Sequence, residues 1–166
     1  MMDLLDGAGL PAVSDGHRPA DEHNPGGYWE DARVLQLARQ NDWLWQCGGR
    51  SLKILYRQLY HVPPDLPARI VVMHRDVHEV AASQSAMLGH SEQDRDWADL
   101  LARDWRRFLT WLQAQQQWPQ LAVDYGQLVH EPQLTLQRLL AFLAVGVDVQ
   151  QLLERVRPEL HRSRCS

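Results

Sequence analysis

Short apolar runs alternate with amphipathic stretches along the 166-residue chain. The clearest run is Arg69–Met73, whose successive apolar, mostly β-branched residues are typical of a strand buried on both faces. Weaker apolar runs predict three further strands, at Leu10–Val13, Ser51–Leu55 and Leu121–Val123. The strands are therefore spread over most of the sequence.

The amphipathic stretches between these runs predict helices. The predicted helices are Met1–Leu5, a helix from Tyr28 onward, Val77–Leu88, Ser91–Gln116, Tyr125–Val129, Leu134–Leu143 and Gln150–Val156. Asp76 stands at the N-cap position of the third helix, with Glu79 three residues later, as in a capping box. Strands that alternate with helices predict one α/β domain over residues 1–166 with a largely parallel sheet.

Composition narrows the class of protein. Apolar residues make up 45% of the chain and charged residues 23%, which is typical of a globular domain. The net charge of -4 argues against broad attraction to nucleic acid or to an anionic membrane. Cys47 and Cys165 are far apart in sequence and are expected to be free thiols. With no apolar run of membrane-spanning length and no secretory leader, we expect a cytoplasmic protein.

One stretch places a cation where α/β proteins bind ligands. Arg75 directly follows the clearest strand, so it would lie at the carboxyl end of that strand. It also stands just before the N-terminus of a predicted helix, which attracts anions. Ser83 lies seven residues after Asp76. On a helix this spacing is about two turns, which brings Ser83 within roughly 20° of the face on which the helix begins. Arg75 and Ser83 would then converge on one phosphate. The alternative is that Arg75 pairs with a surface carboxylate and Ser83 is a packing residue, and spacing alone favours it.

Four segments in a fixed order resemble a known family. They are Asn24–Glu30 (NPGGYWE), Ser51–Ile54 (SLKI), the Arg75 to Ser83 element, and Val123–Pro132 (VDYGQLVHEP) followed by Leu140–Leu143 (LAFL). Together they resemble a bacterial subgroup of sulfotransferases. That family uses 3′-phosphoadenosine 5′-phosphosulfate as donor and has a P-loop NTPase-like, three-layer fold. The resemblance covers essentially the whole chain, and with it the phosphate interpretation of Arg75 and Ser83 is preferred.

The resemblance implies a set of nucleotide-binding residues. Arg75 and Ser83 correspond to the family's 3′-phosphate element. Lys53, the only lysine, lies near the carboxyl edge of the sheet and would face the nucleotide, unless it is an edge lysine that reaches into solvent. The family also uses a basic C-terminal segment for the 3′-phosphate, which implicates Arg162 and Arg164 unless they are part of a solvated tail.

The transfer of a sulfuryl group also needs a base for the acceptor oxygen. The resembling subgroup carries a carboxylate at the position of Glu30, whose other interpretation is an acid in the first turn of a helix. Asp15 and His23 are alternative bases. Trp29 and Trp43, near the polar loop, are candidates for lining the pocket of a small-molecule or glycan acceptor.

The sequence departs from the family at its start. Sulfotransferases open with a strand and a phosphate-cradling loop that holds the 5′-phosphosulfate, and this sequence has no such loop. Gly7-Ala8-Gly9 lacks a neighbouring cation and a preceding strand. We therefore expect a sheet without the family's first, central strand. The explanations of this expectation are an internal start site, a truncation or a relative that has no such loop. We also expect impaired activity and marginal stability, with a melting point below about 60 °C.

Other functions compete with this interpretation. One alternative is a non-catalytic nucleotide-binding or scaffold protein, which would complete its sheet with a strand from a partner chain. A homo-oligomer is also possible for this chain. A small-molecule kinase is disfavoured because no acidic strand end lies beside a phosphate loop. His74 and His78 have a metal-ligand spacing, but no third ligand stands at a suitable distance, so no metal is expected.

Overall fold

The fold is a mixed α/β arrangement built from short strands and mostly short helices. The computed structural model describes residues 1–21, 26–81 and 94–157. The strands are β1 (Ala12–Val13), β2 (Ser51–Leu52), β3 (Ile70–His74) and β4 (Gln120–Asp124). The α-helices are α1 (Met2–Gly7), α2 (Tyr56–Leu59), α3 (described over 77–81), α4 (Asp94–Gln113), α5 (Tyr125–His130), α6 (Pro132–Leu143) and α7 (Val149–Leu153). Two 3₁₀ helices, Ala32–Gln36 and Asp42–Cys47, connect β1 to β2.

The four strands in the described part of the chain all pair in parallel, as the sequence predicted. β1 pairs with β2, and β3 pairs with β4 in a register that places Ile70 opposite Gln120 and His74 opposite Asp124. The parallel pairing is explained by the helices between strands, which carry the chain back to the opposite end of the sheet. The described strands nevertheless form two separate two-stranded sheets rather than one.

Two apolar cores lie on opposite faces of β3, because successive side chains of a strand point to opposite sides. Val71 and Met73 pack against a core formed by α1, β4 and helices α5 to α7, whose buried members include Leu4, Leu128, Leu136, Leu139 and Leu152. Val72 belongs to a second core on the other face, together with Leu37, Leu44, Leu59, Phe108, Leu112 and Trp118. Apolar cores on both faces of the strand explain why Ile70–Met73 is apolar throughout.

The predicted helix starting at Tyr28 is wrong. The segment from Gly27 to Asp31 is not helical, and the first 3₁₀ helix begins at Ala32. Asp31 is its N-cap: the backbone is extended there (φ -130°) and the carboxylate accepts a hydrogen bond from the Arg33 N–H. A residue in this conformation starts a helix rather than continuing one. The strands at Leu10 and Ser51 are also shorter than predicted.

Most other helix predictions agree with the structure to within a few residues. The Asp76 carboxylate accepts hydrogen bonds from the N–H groups of His78 (2.9 Å) and Glu79 (3.2 Å), which confirms the predicted N-cap of α3. α6 begins two residues earlier than predicted, at Pro132, because proline is well suited to the first turn of a helix. The predicted extension of α3 to Leu88 lies outside the described residues.

Candidate functional site

Arg75 lies at the carboxyl end of β3, where the chain turns into α3. Its Nε donates to Oε2 of Glu79 at 3.0 Å, and its guanidinium carbon lies 5.0 Å from the centroid of the Tyr125 ring. Tyr125 is the first residue of α5 and follows β4 directly. Because β3 and β4 are parallel neighbours, their carboxyl ends bring Arg75 and Tyr125 together.

These contacts fix the direction of the Arg75 side chain. The cation over an aromatic face and the ion pair with Glu79 are both attractive contacts that restrict the rotamers of a long side chain. The side chain remains 27% exposed, whereas the His78 and Glu79 N–H groups at the start of α3 already donate to the Asp76 carboxylate. The structure therefore shows the carboxylate pairing that was the alternative interpretation of Arg75, with Glu79 as the partner.

Glu30 and Lys53 form the second cluster of the site. Lys53 Nζ lies 2.9 Å from Glu30 Oε1 and also donates to the backbone oxygen of Tyr28 at 3.2 Å. Arg18 Nη1 lies 3.5 Å from the other carboxylate oxygen of Glu30. Glu30 and Lys53, predicted separately as base and nucleotide ligand, are therefore brought into one ion pair. Both side chains are more than a third exposed, so water screens the pair.

A tight backbone turn presents Glu30 to Lys53. Gly27 has a φ of 80° and Trp29 a φ of 51°, both in the left-handed region that residues with a side chain rarely adopt. The Trp29 indole Nε1 donates to the backbone oxygen of Gly26 at 3.1 Å, which helps to hold the turn. Backbone strain of this kind is concentrated at binding and catalytic sites.

The carboxylate of Asp15, the alternative base, is already hydrogen-bonded to the backbone. Its carboxylate accepts hydrogen bonds from the N–H groups of His17 (2.9 Å) and Ala32 (2.7 Å). These bonds, with that of His17 first, lower the pKa of Asp15 from its ordinary value of 3.8 to about 2. A carboxylate that is already hydrogen-bonded and this acidic is a poor acceptor for a substrate proton near neutral pH. Glu30 is the better candidate of the two.

One partner from each cluster lines a shared cavity, although Arg75 and Glu30 themselves are not among its lining residues. A cavity of about 1170 Å³ is lined by Tyr125 on the Arg75 side and by Lys53 and Trp29 on the Glu30 side. Trp43, the other predicted pocket residue, is not among its lining residues; instead its ring carries the Arg33 guanidinium at 4.2 Å. An acceptor held near Trp29 would thus share one space with a ligand held near Tyr125.

The histidines at the end of β3 do not form a metal centre in the described ranges. His74 Nδ1 lies 3.6 Å from Asp124 Oδ2, across the β3–β4 register. No group of three or more His, Cys, Asp or Glu residues with metal-binding geometry occurs within 1–21, 26–81 and 94–157. In the same ranges, no helix has the length and apolar character needed to cross a bilayer.

Four predicted site residues, namely Ser83, Arg162, Arg164 and His23, lie outside the described residues. The predicted convergence of Arg75 and Ser83 therefore stays a prediction. The sequence analysis missed Tyr125 and Glu79 as partners of Arg75. The spacing of four residues between Arg75 and Glu79 was a usable signal, whereas nothing local links Arg75 to Tyr125 fifty residues later.

Comparison with known proteins identifies the family to which the chain is similar. A family model described as "Sulfotransferase family" matches residues 31–149, which is more than half of the chain. The matched region contains Lys53, Arg75 and Tyr125, and begins one residue after Glu30. Searches of curated proteins and of solved structures find no match.

Proposed function

The chain belongs to the sulfotransferase family, and we propose that it binds 3′-phosphoadenosine 5′-phosphosulfate and the matching 3′,5′-bisphosphate product, with the 3′-phosphate on Arg75. The observation that carries this proposal is the position of Arg75 at the carboxyl end of β3, held by Glu79 and by the Tyr125 ring. Ligands of parallel α/β sheets bind at that edge. The proposed frame is the family's P-loop NTPase-like, three-layer fold, and the cores on both faces of β3 support it.

The residues present fit a phosphate group. The guanidinium is planar and suited to a phosphate, and its Nε donates to Glu79 Oε2 at 3.0 Å. The start of α3 adds the positive end of a helix dipole. In this proposal Ser83, Arg162 and Arg164 complete the contacts to the phosphate, and no metal is required.

The reaction we propose is sulfuryl transfer to a hydroxyl or amine of a small molecule or glycan. The acceptor atom attacks sulfur, the bond from sulfur to the 5′-phosphate oxygen breaks, and the acceptor proton goes to a base. Glu30 is the proposed base, and Lys53 holds its carboxylate while facing the cavity.

Calorimetry with adenosine 3′,5′-bisphosphate tests the assignment of Arg75. We expect Arg75→Ala to weaken binding at least tenfold, since a charge-assisted hydrogen bond contributes roughly 1.5–3 kcal/mol. Arg69→Ala is the matched control: Arg69 precedes the same strand at its opposite end and donates to the Leu143 backbone oxygen. That variant should bind within about twofold of wild type.

A second ligand separates the phosphate contact from general damage to the site. Adenosine 5′-monophosphate lacks the 3′-phosphate, so wild type and Arg75→Ala should bind it with equal affinity. An equal loss of affinity for both ligands would mean that Arg75 does not contact the 3′-phosphate. Unchanged binding of the bisphosphate by Arg75→Ala would remove the proposal altogether.

A further inference from the structure

His74 and Asp124 face each other at the carboxyl ends of β3 and β4. They are register partners in the parallel ladder, and His74 Nδ1 lies 3.6 Å from Asp124 Oδ2. The next residues of the two segments also meet, since the Arg75 guanidinium lies over the Tyr125 ring. The imidazole and the guanidinium are therefore neighbours along the edge at which α/β proteins bind ligands.

The Asp124 carboxylate is held in place by α5. Its Oδ1 accepts the Gln127 N–H at 2.8 Å, which makes Asp124 the N-cap of that helix. A Cβ on Gly126 would lie 3.1 Å from the same oxygen, so the backbone passes close to the carboxylate. The other oxygen, Oδ2, is the one that faces His74. A fixed carboxylate beside one ring nitrogen sets the orientation of an imidazole.

The His74 ring also packs against α4. Its centroid lies 6.2 Å from that of Trp105, with the two rings tilted by 48°. The charged residue before Trp105 is Asp104, whose carboxylate already pairs with Arg57. In the described part of the chain, Nε2 of His74 has no hydrogen-bond partner, and the side chain is 46% exposed. The ring is thus oriented through Nδ1 and its face, which leaves Nε2 for a ligand.

The charges around His74 do not favour an anion while the imidazole is neutral. Arg75 carries one positive charge, and the Glu79 carboxylate pairs with it at 3.0 Å. Asp76, which caps α3, and Asp124 add two negative charges at the same edge. Histidine is the side chain that ordinarily changes its charge between about pH 5 and pH 8. A proton on His74 therefore supplies the positive charge that this edge lacks for an anion.

We propose that His74 is a second binding residue for the 3′-phosphate and that it takes up a proton from solvent when the phosphate binds. In the bound state the Nδ1–H faces the Asp124 carboxylate and the Nε2–H donates to a phosphate oxygen. The proton returns to solvent when the ligand leaves. This role of His74 rests on the 3′-phosphate site proposed at Arg75. Its consequence is that affinity for the bisphosphate rises as the pH falls through the range in which the imidazole titrates.

Calorimetry with adenosine 3′,5′-bisphosphate at about pH 6 and about pH 8.5 tests the proposal. His74→Gln keeps a polar side chain that takes up no proton. It should weaken binding roughly fivefold or more at the lower pH and less than about twofold at the higher one. Comparing the two proteins at one pH cancels the titration of the ligand's own phosphates. Near pH 7, buffers of different ionisation enthalpy should show roughly 0.3–0.5 more protons taken up per ligand by wild type.

His78→Gln is the matched control, because it removes a histidine four residues later on α3. It should change the affinity by less than about twofold at both pH values, and an effect as large as that of His74→Gln would overturn the proposal. So would an equal loss of affinity for adenosine 5′-monophosphate, which lacks the 3′-phosphate. If His74→Gln binds the bisphosphate like wild type at about pH 6 while Arg75→Ala binds it weakly, the role of His74 fails and the site at Arg75 stands. Unchanged binding by Arg75→Ala would remove both.

Discussion

Lys53 Nζ lies 2.9 Å from Oε1 of Glu30, although the two residues are 23 positions apart. Lys53 directly follows β2, whereas Glu30 belongs to the extended segment before the first 3₁₀ helix. The ion pair joins the proposed base to the only lysine of the chain at the edge of the cavity. The proposed chemistry at Glu30 therefore depends on a contact that the fold creates.

We predict that the Lys53–Glu30 pair contributes little to stability. Lys53→Met, Glu30→Gln and the double variant form a double-mutant cycle, measured by urea unfolding. The coupling free energy should be about 0.2–1 kcal/mol, because the side chains are 34% and 40% exposed. Glu30→Gln should also bind adenosine 3′,5′-bisphosphate within about twofold of wild type. A coupling above about 2 kcal/mol would instead assign the pair a mainly structural role.

Tyr125 is predicted to position Arg75 through the face of its ring. Tyr125→Leu should weaken the binding of adenosine 3′,5′-bisphosphate about two- to fivefold, because a cation–π contact contributes roughly 0.5–1 kcal/mol. Tyr125→Phe keeps the ring and should bind within about twofold of wild type. Adenosine 5′-monophosphate, which lacks the 3′-phosphate, should bind both variants equally. If Phe and Leu weaken bisphosphate binding to the same extent, the ring face is not responsible.

Asp15 should make folding sensitive to acid in a defined pH window. Its folded-state pKa is lowered from 3.8 to about 2, so its stabilising effect is present above about pH 4 and is lost as the pH falls towards 2. Asp15→Asn should therefore melt at a lower temperature than wild type at pH 5, and the difference should shrink between pH 4 and pH 2. Thermal unfolding followed by circular dichroism measures both.

His17→Ala provides a control for the origin of this pKa. The largest cause of the lowered pKa is the hydrogen bond from the His17 backbone N–H, which the substitution retains. The Asp15 carboxyl of His17→Ala should therefore still titrate clearly below 3.8 in a carbon-detected NMR titration. A return to 3.8 would show that the imidazole, rather than the backbone, controls Asp15.

Ala144 occupies a position at which glycine should be more stable. It caps α6 in the left-handed conformation, with φ 57° and ψ 42°. Because a side chain there costs roughly 1 kcal/mol, Ala144→Gly should raise the free energy of unfolding by about 0.5–1 kcal/mol. Ala141→Gly, inside the same helix, should lower it by about 0.5–1 kcal/mol. Two changes of the same sign in urea unfolding would contradict the prediction.

The elements with strong local patterns were predictable. The continuous apolar run at Ile70–Met73 identifies β3, because a short β-branched run that is apolar at successive positions is typical of a strand covered on both faces. Asp76 identifies the start of α3 through its short acceptor side chain. The segment at Tyr28 was mispredicted because its pattern is helical, while Trp29 and the Asp31 cap hold it in another conformation.

The sequence by itself therefore determined the order of the strands, most of the α-helices, the parallel pairing and the place of Arg75 at the end of a strand, but not α2 or the two 3₁₀ helices. These features depend on neighbours within a few residues, whose periodicity and caps can be read along the chain. Only the tertiary structure decided that Glu30 meets Lys53, that Tyr125 covers Arg75, and that two separate sheets face one cavity. These contacts join residues more than twenty positions apart, and the packing of the cores on both faces of β3 sets them.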